Sequence, residues 1–285
     1  MPKTKVLIAV KTYPALSKKY DELVCTAGFL PDGTWIRIFP IKFRSMDYIN
    51  QYKKYDWIEI DLLKNEGDIR KESYRPRTID EVPTILSSVG TQNNWAERKE
   101  TVLRNVYTNL TQLIEDSRHS KQRPAPTSLA VFKPARIVKF ECRPCERQWD
   151  AEKLQALKQQ SLFEPKGDSV QVVKKLPYTF HYTFEDEAGR QSTLMIEDWE
   201  IGALYWNCLR SSDNDERLAC EKVRAKYMDE FTTQKDLYFF LGTRLTEHVK
   251  NYPNPFSIIG VFCPKKDELV KISGKPKSAG QLELF

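Results

Sequence analysis

The sequence predicts an α+β protein whose first half is rich in β-strands, and three observations lead to that prediction. Apolar and polar residues alternate over several short segments before residue 64, which is the period of a half-buried strand. Apolar residues then recur at helical spacing over 94–119, and again over 197–210 and 216–231. The chain has 285 residues, of which 40% are hydrophobic and 29% charged, a composition typical of a folded protein with room for two domains.

Residues 1–142 are predicted to form a basic, β-rich domain. Strands are expected over 3–12, 21–30 and 34–41, with Pro31-Asp32-Gly33 as the turn between the last two, and 55–63 alternates in the same way. One long helix is expected over 94–119. An OB-type barrel fits this set of strands, hairpin and helix, and so do several other small β folds.

Residues 143–264 are predicted to form a second, α+β domain. Two helices joined by a Ser-Ser-Asp-Asn loop follow a pair of strands, and the apolar segments 236–243 and 255–263 are expected to be central strands. Residues 265–285 combine lysine, glycine, serine and proline without periodicity, so we expect a flexible tail there.

Charge is unevenly distributed along the chain, although its net value is only +6. Residues 1–150 contain 26 Lys and Arg against 19 Asp and Glu, whereas residues 151–285 contain 19 against 20. The basic half favours a polyanionic partner, although ordinary variation in surface composition explains it equally well. No apolar run has the length of a membrane span, and the six cysteines do not form a disulfide framework, so a soluble, cytoplasmic protein is expected.

The strand 34–41 supplies the strongest nucleic-acid signal in the first half, because Trp35, Arg37 and Phe39 share one of its faces. Aromatic rings stack on bases while cations hold phosphates, and OB-type barrels combine the two in single-strand binding. The predicted site comprises Trp35, Arg37, Phe39, Lys42, Arg44, Arg70, Arg75 and Arg77. Alternatively, the two aromatic rings pack beneath the predicted helix and leave Arg37 paired with an acid. The choices between DNA and RNA, and between single and double strands, remain open.

The last five residues, Gln281-Leu282-Glu283-Leu284-Phe285, include three large apolar residues in a polar context. Clustered apolar residues after a polar tether are typical of a docking peptide. The pentapeptide resembles the Gln-Leu-x-Leu-Phe motif with which bacterial replication and repair proteins bind the β sliding clamp. The resemblance implies that Gln281 bonds to the rim of the clamp pocket, that Leu282 contacts its wall, and that Leu284 and Phe285 insert into it. Alternatively, the tail packs as an edge strand on the core of its own chain.

Metal and cofactor signals are weak in this sequence. Cys142 and Cys145 have the spacing of half a zinc site, but neither a second CxxC nor an HxxxH completes it, so no metal is predicted. Glycine-rich phosphate-binding loops are missing from the sequence, and no cofactor is predicted.

Two acidic segments bear on a nuclease hypothesis. Asp56, Glu59 and Asp61 lie on one predicted strand with Lys64, but Glu59 lacks the lysine two residues on that a nuclease arrangement requires. The second segment, 197–200, precedes a predicted helix, where carboxylates cap amide groups. We therefore predict no catalytic residues, and a metal-dependent nuclease stays an alternative.

Together these features predict a non-enzymatic accessory protein of bacterial DNA transactions. A basic β-domain would contact nucleic acid, and the C-terminal peptide would recruit the protein to the sliding clamp. Repair, replication, transposition and phage defence are all compatible settings. A further alternative is a protein–protein interaction subunit of a larger complex.

Overall fold

The computed structural model describes residues 3–16, 22–152, 154–155 and 172–267, and it confirms the α+β class. Within these residues the strands form two sheets. None of the helices in this part of the chain is long and apolar enough to cross a membrane.

The first sheet is built from residues 4–88. Its strands are β1 (Thr4–Lys11), β2 (Ala15–Leu16), β3 (Glu22–Phe29), β4 (Trp35–Ile41), β5 (Asp56–Ile60), β6 (Leu62–Lys64), β7 (Ser73–Pro76) and β8 (Thr84–Ser88). They lie in the order β6-β7-β4-β3-β1-β5-β8, with β2 paired to β3. The turn predicted between β3 and β4 is present, with Gly33 at φ 85°.

This first sheet closes on itself, because only Asp61 separates β5 from β6. β5 pairs with β1 while β6 pairs with β7, and the Arg77 amide donates to the Asp61 carbonyl at 3.0 Å. β5 and β6 are thus two parts of one strand that closes the barrel, and β8 is an additional strand paired with β5. The β4–β7 pair is parallel, whereas the other neighbours around the barrel are antiparallel. This is the strand order of an OB barrel, which confirms that interpretation of the first domain.

The second sheet begins at residue 106. It contains β9 (Val106–Tyr107), β10 (Leu129–Phe132), β11 (Arg136–Pro144), β12 (Tyr178–Glu185), β13 (Gln191–Ile196), β14 (Tyr238–Thr243) and β15 (Phe256–Phe262). Their order is β11-β12-β13-β15-β14-β10-β9.

The second sheet closes in the same way as the first. Three residues separate β10 from β11, and the Ala135 amide donates to the Glu185 carbonyl at 2.9 Å, which extends the β11–β12 ladder towards β10. The β13–β15 pair is parallel. The chain therefore forms a second OB-type barrel, with Phe180, Tyr182 and Phe184 in its core. Sequence reasoning did not identify this second barrel.

Helices lie in several of the connections between strands. They are α1 (Gln92–Val102), α2 (Leu110–Asp116), α3 (Trp199–Arg210), α4 (Glu216–Arg224), α5 (Phe231–Gln234) and α6 (Leu245–Val249), with a π-helical turn over Ala225–Glu230 and 3₁₀ turns over Phe43–Ser45 and Tyr48–Asn50. The predicted helical pair is confirmed as α3 and α4. Asp198 caps α3 by accepting from the Glu200 amide at 3.2 Å, as expected for that acidic segment.

The prediction of one long helix over 94–119 is wrong. Asn93, Asn94 and Trp95 adopt positive φ angles of 49°, 52° and 64°, so regular helix begins only after them. The short strand β9 then interrupts the segment. Asn109 starts the new helix α2, because its side chain accepts a hydrogen bond from the Gln112 amide at 3.1 Å.

The two barrels pack against each other through the outer faces of their sheets. Phe29 and Tyr55 of the first barrel meet Phe240 and Phe262 of the second in one apolar cluster. The first sheet ends with β8 and the second begins with β9. The sequence interpretation, in contrast, assigned residues up to 142 to the first domain. Residues 106–142 pair instead into the second sheet.

Candidate nucleic-acid interface

A cavity of about 900 Å³ lies between the two barrels. In the first barrel it is lined by β3, β4, the β1–β3 connection and the β6–β7 loop. In the second it is lined by the corresponding strands β12 and β13, the β11–β12 connection and the β14–β15 loop. OB folds bind their ligands with these strands and loops. Both ligand-binding faces therefore open into one space, which we call the inter-barrel cleft.

Aromatic rings make up much of the wall of the cleft. They are Tyr13, Phe39, Trp149, Tyr178 and Phe180. Hydrogen bonds orient several of them, since the Trp149 indole donates to the Val173 carbonyl at 2.8 Å and the Tyr178 hydroxyl donates to Glu216 at 3.0 Å. Phe39 is 39% exposed, so its ring is available for stacking.

Two buried arginines line the cleft from the first barrel. Arg37 is 3% exposed, and its guanidinium donates to the Ser128 hydroxyl at 2.9 Å and to the Ser128 carbonyl at 3.3 Å. Arg70 is bound to Asp68 and donates to the Thr243 carbonyl at 2.6 Å. Burial by itself would raise the pKa of Asp68, but the hydrogen bonds and positive charge of Arg70 outweigh it and lower the pKa of Asp68 to about 2. Both arginines therefore bridge the barrels.

The second barrel contributes a polar group without a partner. Thr243, at the end of β14, is 5% exposed and lines the cleft, and its hydroxyl has no hydrogen-bond partner among the described residues. Both ring nitrogens of the nearby, buried His248 also lack a partner in the described part of the chain. Burial, together with the charges of Arg70 and Arg37, lowers the pKa of His248 to about 4. A buried donor without a partner costs roughly 1–3 kcal/mol, so the Thr243 hydroxyl and the His248 ring lower the stability of this part of the second barrel.

A second cavity of about 440 Å³ adjoins the cleft, and Tyr13 lines both. Its aromatic residues include Trp199 and Trp206, and the Trp206 indole donates to the Tyr13 hydroxyl at 2.8 Å. Its charged lining consists of Arg44, Lys174 and Arg210, with no carboxylate among the described residues that form it. We call this basic surface the tryptophan groove.

Two family models match the chain. The model of a domain of unknown function, DUF8757, matches residues 88–283, which is more than half of the chain. The chain belongs to this family. The model of a second domain of unknown function, DUF8758, matches residues 2–104. The two matches thus meet between the two barrels of this DUF8757 member, in the segment that leads from β8 to β9.

Comparison with individual proteins adds little to the family assignment. No curated protein matches the chain. Among solved structures, a murine DNA-binding protein in complex with double-stranded DNA is 11% identical. The match covers 98% of this chain and 100% of the murine chain, with a TM-score of 0.30.

The structure divides the predicted nucleic-acid residues into three groups. Arg37, Phe39 and Arg70 come together in the cleft, and Arg44 lies in the tryptophan groove. Lys42 pairs with Asp80 at 3.3 Å and Arg77 with Asp61 at 2.6 Å, while Arg75 is exposed. Trp35 packs against the apolar cluster between the barrels.

The second barrel covers Trp35 and Arg37 of the Trp35-Arg37-Phe39 face. The Trp35 ring lies 4.0 Å from the Phe29 ring and 5.5 Å from the Phe240 ring of the second barrel. Arg37 is buried on the two-barrel interface. The second barrel covers this part of β4, so only Phe39 keeps substantial exposure.

The acidic segments have structural roles. Asp56 accepts from the Lys53 amide at 2.7 Å, and Asp61 pairs with Arg77. In the second segment, Asp198 binds Lys54 at 3.0 Å, while Glu197 accepts from the Ser257 hydroxyl at 2.7 Å. Protein groups thus engage these four carboxylates.

The cysteine pair and the C-terminal peptide are the remaining predicted features. Cys142 faces Cys220 across strand and helix, while the Cys145 thiol donates to the Leu176 carbonyl at 3.3 Å. In the part of the chain that the structure describes, no group of three or more metal-ligating side chains occurs. Gln281, Leu282, Leu284 and Phe285 lie outside the described residues.

Sequence reasoning missed Tyr13, Trp149, Trp206 and Thr243. They come from four different connections or elements, and no spacing in the sequence links them. Only the closure of both barrels brings them to the same cleft and groove.

Proposed function

We propose that this protein binds single-stranded nucleic acid in the inter-barrel cleft and the tryptophan groove. One observation carries the proposal: the ligand-binding faces of two OB barrels open into a single cleft that continues into a basic, aromatic groove. OB folds bind single strands by stacking bases on aromatic rings while cations follow the backbone. The cleft supplies the rings, and the groove adds the cationic side chains of Arg44, Lys174 and Arg210.

We further propose that the protein is an accessory factor of bacterial DNA transactions, recruited to the β sliding clamp by residues 281–285. This part rests on the resemblance of the pentapeptide to the clamp-binding motif. Burial of the Leu284 and Phe285 side chains would contribute roughly 1.5–3 kcal/mol each before the cost of ordering the peptide. Such a contact is weak enough for transient recruitment in repair, replication, transposition or defence.

Fluorescence anisotropy with a labelled single-stranded oligonucleotide tests the binding proposal. The triple variant Arg44→Glu, Lys174→Glu, Arg210→Glu should bind more weakly, because three phosphate contacts are lost. The slope of log affinity against log salt should fall by about 2.

A matched control has the same change in net charge. Lys3, Lys121 and Lys250 are exposed and line neither the cleft nor the groove, so their reversal to Glu should leave affinity nearly unchanged. Equal losses from both triple variants, or tighter binding of duplex than of single strand, would contradict the proposal.

A further inference from the structure

We propose that Cys142 and Cys220 form a reversible disulfide that ties helix α4 to strand β11 when a small-molecule disulfide is present as oxidant. The inference does not depend on nucleic-acid binding, and it assigns a modification site to the second barrel. The close spacing of Cys142 and Cys145 does not point to this pair, because Cys220 lies 78 residues further along the chain than Cys142.

The two cysteine side chains meet where α4 packs on β11. The Cys142 thiol donates to the backbone carbonyl of Cys220 with an S···O distance of 3.8 Å, and it also hydrogen-bonds to the Cys220 sulfur. A disulfide joins residues whose Cβ atoms lie about 3.5–4.5 Å apart, and side chains whose sulfur atoms are already in contact need only small rotations to bond. The fold therefore holds the two thiols ready for oxidation.

A small oxidant can reach both sulfur atoms. Cys142 and Cys220 are partly exposed, and both line a surface cavity of about 320 Å³. Cys208, in contrast, is buried, and the Cys145 thiol donates to the Leu176 carbonyl at 3.3 Å. Contact between two thiols and access from solvent thus coincide at Cys142 and Cys220.

Cys220 is the better nucleophile of the pair. The hydrogen bond from Cys142 lowers the pKa of the Cys220 thiol, although burial and the charge of Glu216 act in the opposite direction. The same contact, together with burial, raises the pKa of the Cys142 thiol. Among the six cysteines, all of which the structure describes, Cys220 is the one with a lowered pKa, whereas burial raises the pKa of Cys263 to about 11.

The reaction is thiol–disulfide exchange in two steps. The Cys220 thiolate attacks one sulfur of the small disulfide and displaces a thiolate, which leaves a mixed disulfide on Cys220. Cys142 then loses its proton to solvent, and its thiolate attacks the Cys220 sulfur and displaces the second small thiolate. The two cysteines together lose two electrons. The small disulfide is reduced to two thiols, which take up the two protons that the cysteines release.

The disulfide fixes a helix that also positions a residue of the inter-barrel cleft. Glu216, about one turn before Cys220, accepts hydrogen bonds from the Tyr178 hydroxyl at 3.0 Å and from Arg147 at 2.6 Å. Tyr178 lines both the cysteine cavity and the cleft. Oxidation therefore ties down the segment that holds Tyr178, and a cross-link between residues so far apart in the chain also restricts the unfolded state.

The test treats the full-length protein with oxidised glutathione, blocks the remaining thiols with N-ethylmaleimide and maps the linkages by tandem mass spectrometry. The wild type should lose two hydrogens and link Cys142 to Cys220, a result that needs no variant. Cys142→Ser should stop at the glutathione mixed disulfide on Cys220. Cys145→Ser is the matched control, because it removes a neighbouring thiol and should leave the link unchanged.

Two further measurements follow from the same site. Cys220 of the reduced protein should react with the small disulfide at least about tenfold faster than Cys263, because its thiolate fraction is about a hundredfold larger and the lower nucleophilicity of a less basic thiolate offsets part of that gain. Oxidation should lower the equilibrium constant for unfolding of the wild type on the order of 10³-fold and leave that of Cys142→Ser unchanged.

Three results would overturn the proposal. They are a disulfide between Cys142 and Cys145 in the wild type, a mixed disulfide that persists on wild-type Cys220, and equal reaction of all six cysteines. Each of these outcomes leaves the proposed nucleic-acid binding untouched, since the oligonucleotide measurements are made on the reduced protein.

Discussion

Acidification should destabilise the fold through His248. This residue is 1% exposed, and its ring nitrogens have no hydrogen-bond partner among the described residues. Burial and the charges of Arg70 and Arg37 hold its pKa at about 4, compared with the usual 6.5, although Glu72 and Asp68 act in the opposite direction. The folded protein therefore binds this proton less tightly than the unfolded chain does.

The sign and size of the effect follow from that difference. Between pH 6.5 and 4 the unfolded chain binds more protons at this histidine, so the free energy of unfolding falls as the pH is lowered through this interval. With about 1.36 kcal/mol for each pH unit, the loss amounts to roughly 3 kcal/mol. The lowered pKa of Asp68 acts at more acidic pH, below its usual value of 3.8, and does not overlap with this interval.

Denaturant unfolding at a series of pH values would measure the effect in the wild type and in His248→Phe, which keeps a ring but cannot titrate. The difference in free energy of unfolding between the two proteins should change by about 3 kcal/mol over the interval. The exposed His119 provides the control, because His119→Phe removes a histidine without touching the buried ring. Parallel curves for wild type and His248→Phe would refute the argument.

Three more predictions concern the site, the interface and the tail. Gly202→Ala should weaken single-strand binding, because the new Cβ would lie 2.3 Å from the Tyr13 ring and displace it; anisotropy measures this, and unchanged affinity would contradict the role of that ring. Asp198→Asn keeps the helix cap but removes the main counter-charge of the buried Lys54, so chemical unfolding should show that the free energy of unfolding falls by about 3–5 kcal/mol. A fall of less than about 1 kcal/mol would mean that the pair contributes little to stability. A chain ending at Gly280 should fold normally but lose calorimetrically detectable binding to purified β clamp, and equal binding by both chains would show that the pentapeptide is not the contact.

The first barrel was predictable from the sequence because its signals are local. The alternation that places Ile36 and Ile38 inside, and the turn with Gly33, both involve residues close in the chain. The second barrel was not predictable in this way, because its closing strand is interrupted at Pro134. The part before the interruption, β10, pairs with β14, and the part after it, β11, pairs with β12, and these two partner strands are more than forty residues apart in the chain. Closure of a barrel is a long-range property that period alone does not reveal.

The same limit applies to the site. Phe39 lines the cleft and Arg44 lines the groove, and both were singled out because aromatic and basic residues close together in the chain, on β4 and in the turn after it, are a local pattern. The burial of Arg37 against the second barrel has no signal in the sequence of β4. Thr243 carries no signal in the sequence, because a hydroxyl without a partner can be recognised only when its surroundings are known.

Because the cleft is divided between two barrels, ligand binding in the cleft is coupled to the packing of the two barrels against each other. Each barrel supplies one wall, so the complete cavity exists only while the interface around Phe29 and Phe240 is formed. Any ligand that requires both walls therefore adds its binding free energy to the interface, about 2.7 kcal/mol when its concentration is a hundred times its Kd. In mass-action terms the ligand acts as a third component of the interface, and an interface mutation that separates the barrels lowers the apparent affinity even when every cleft residue is intact.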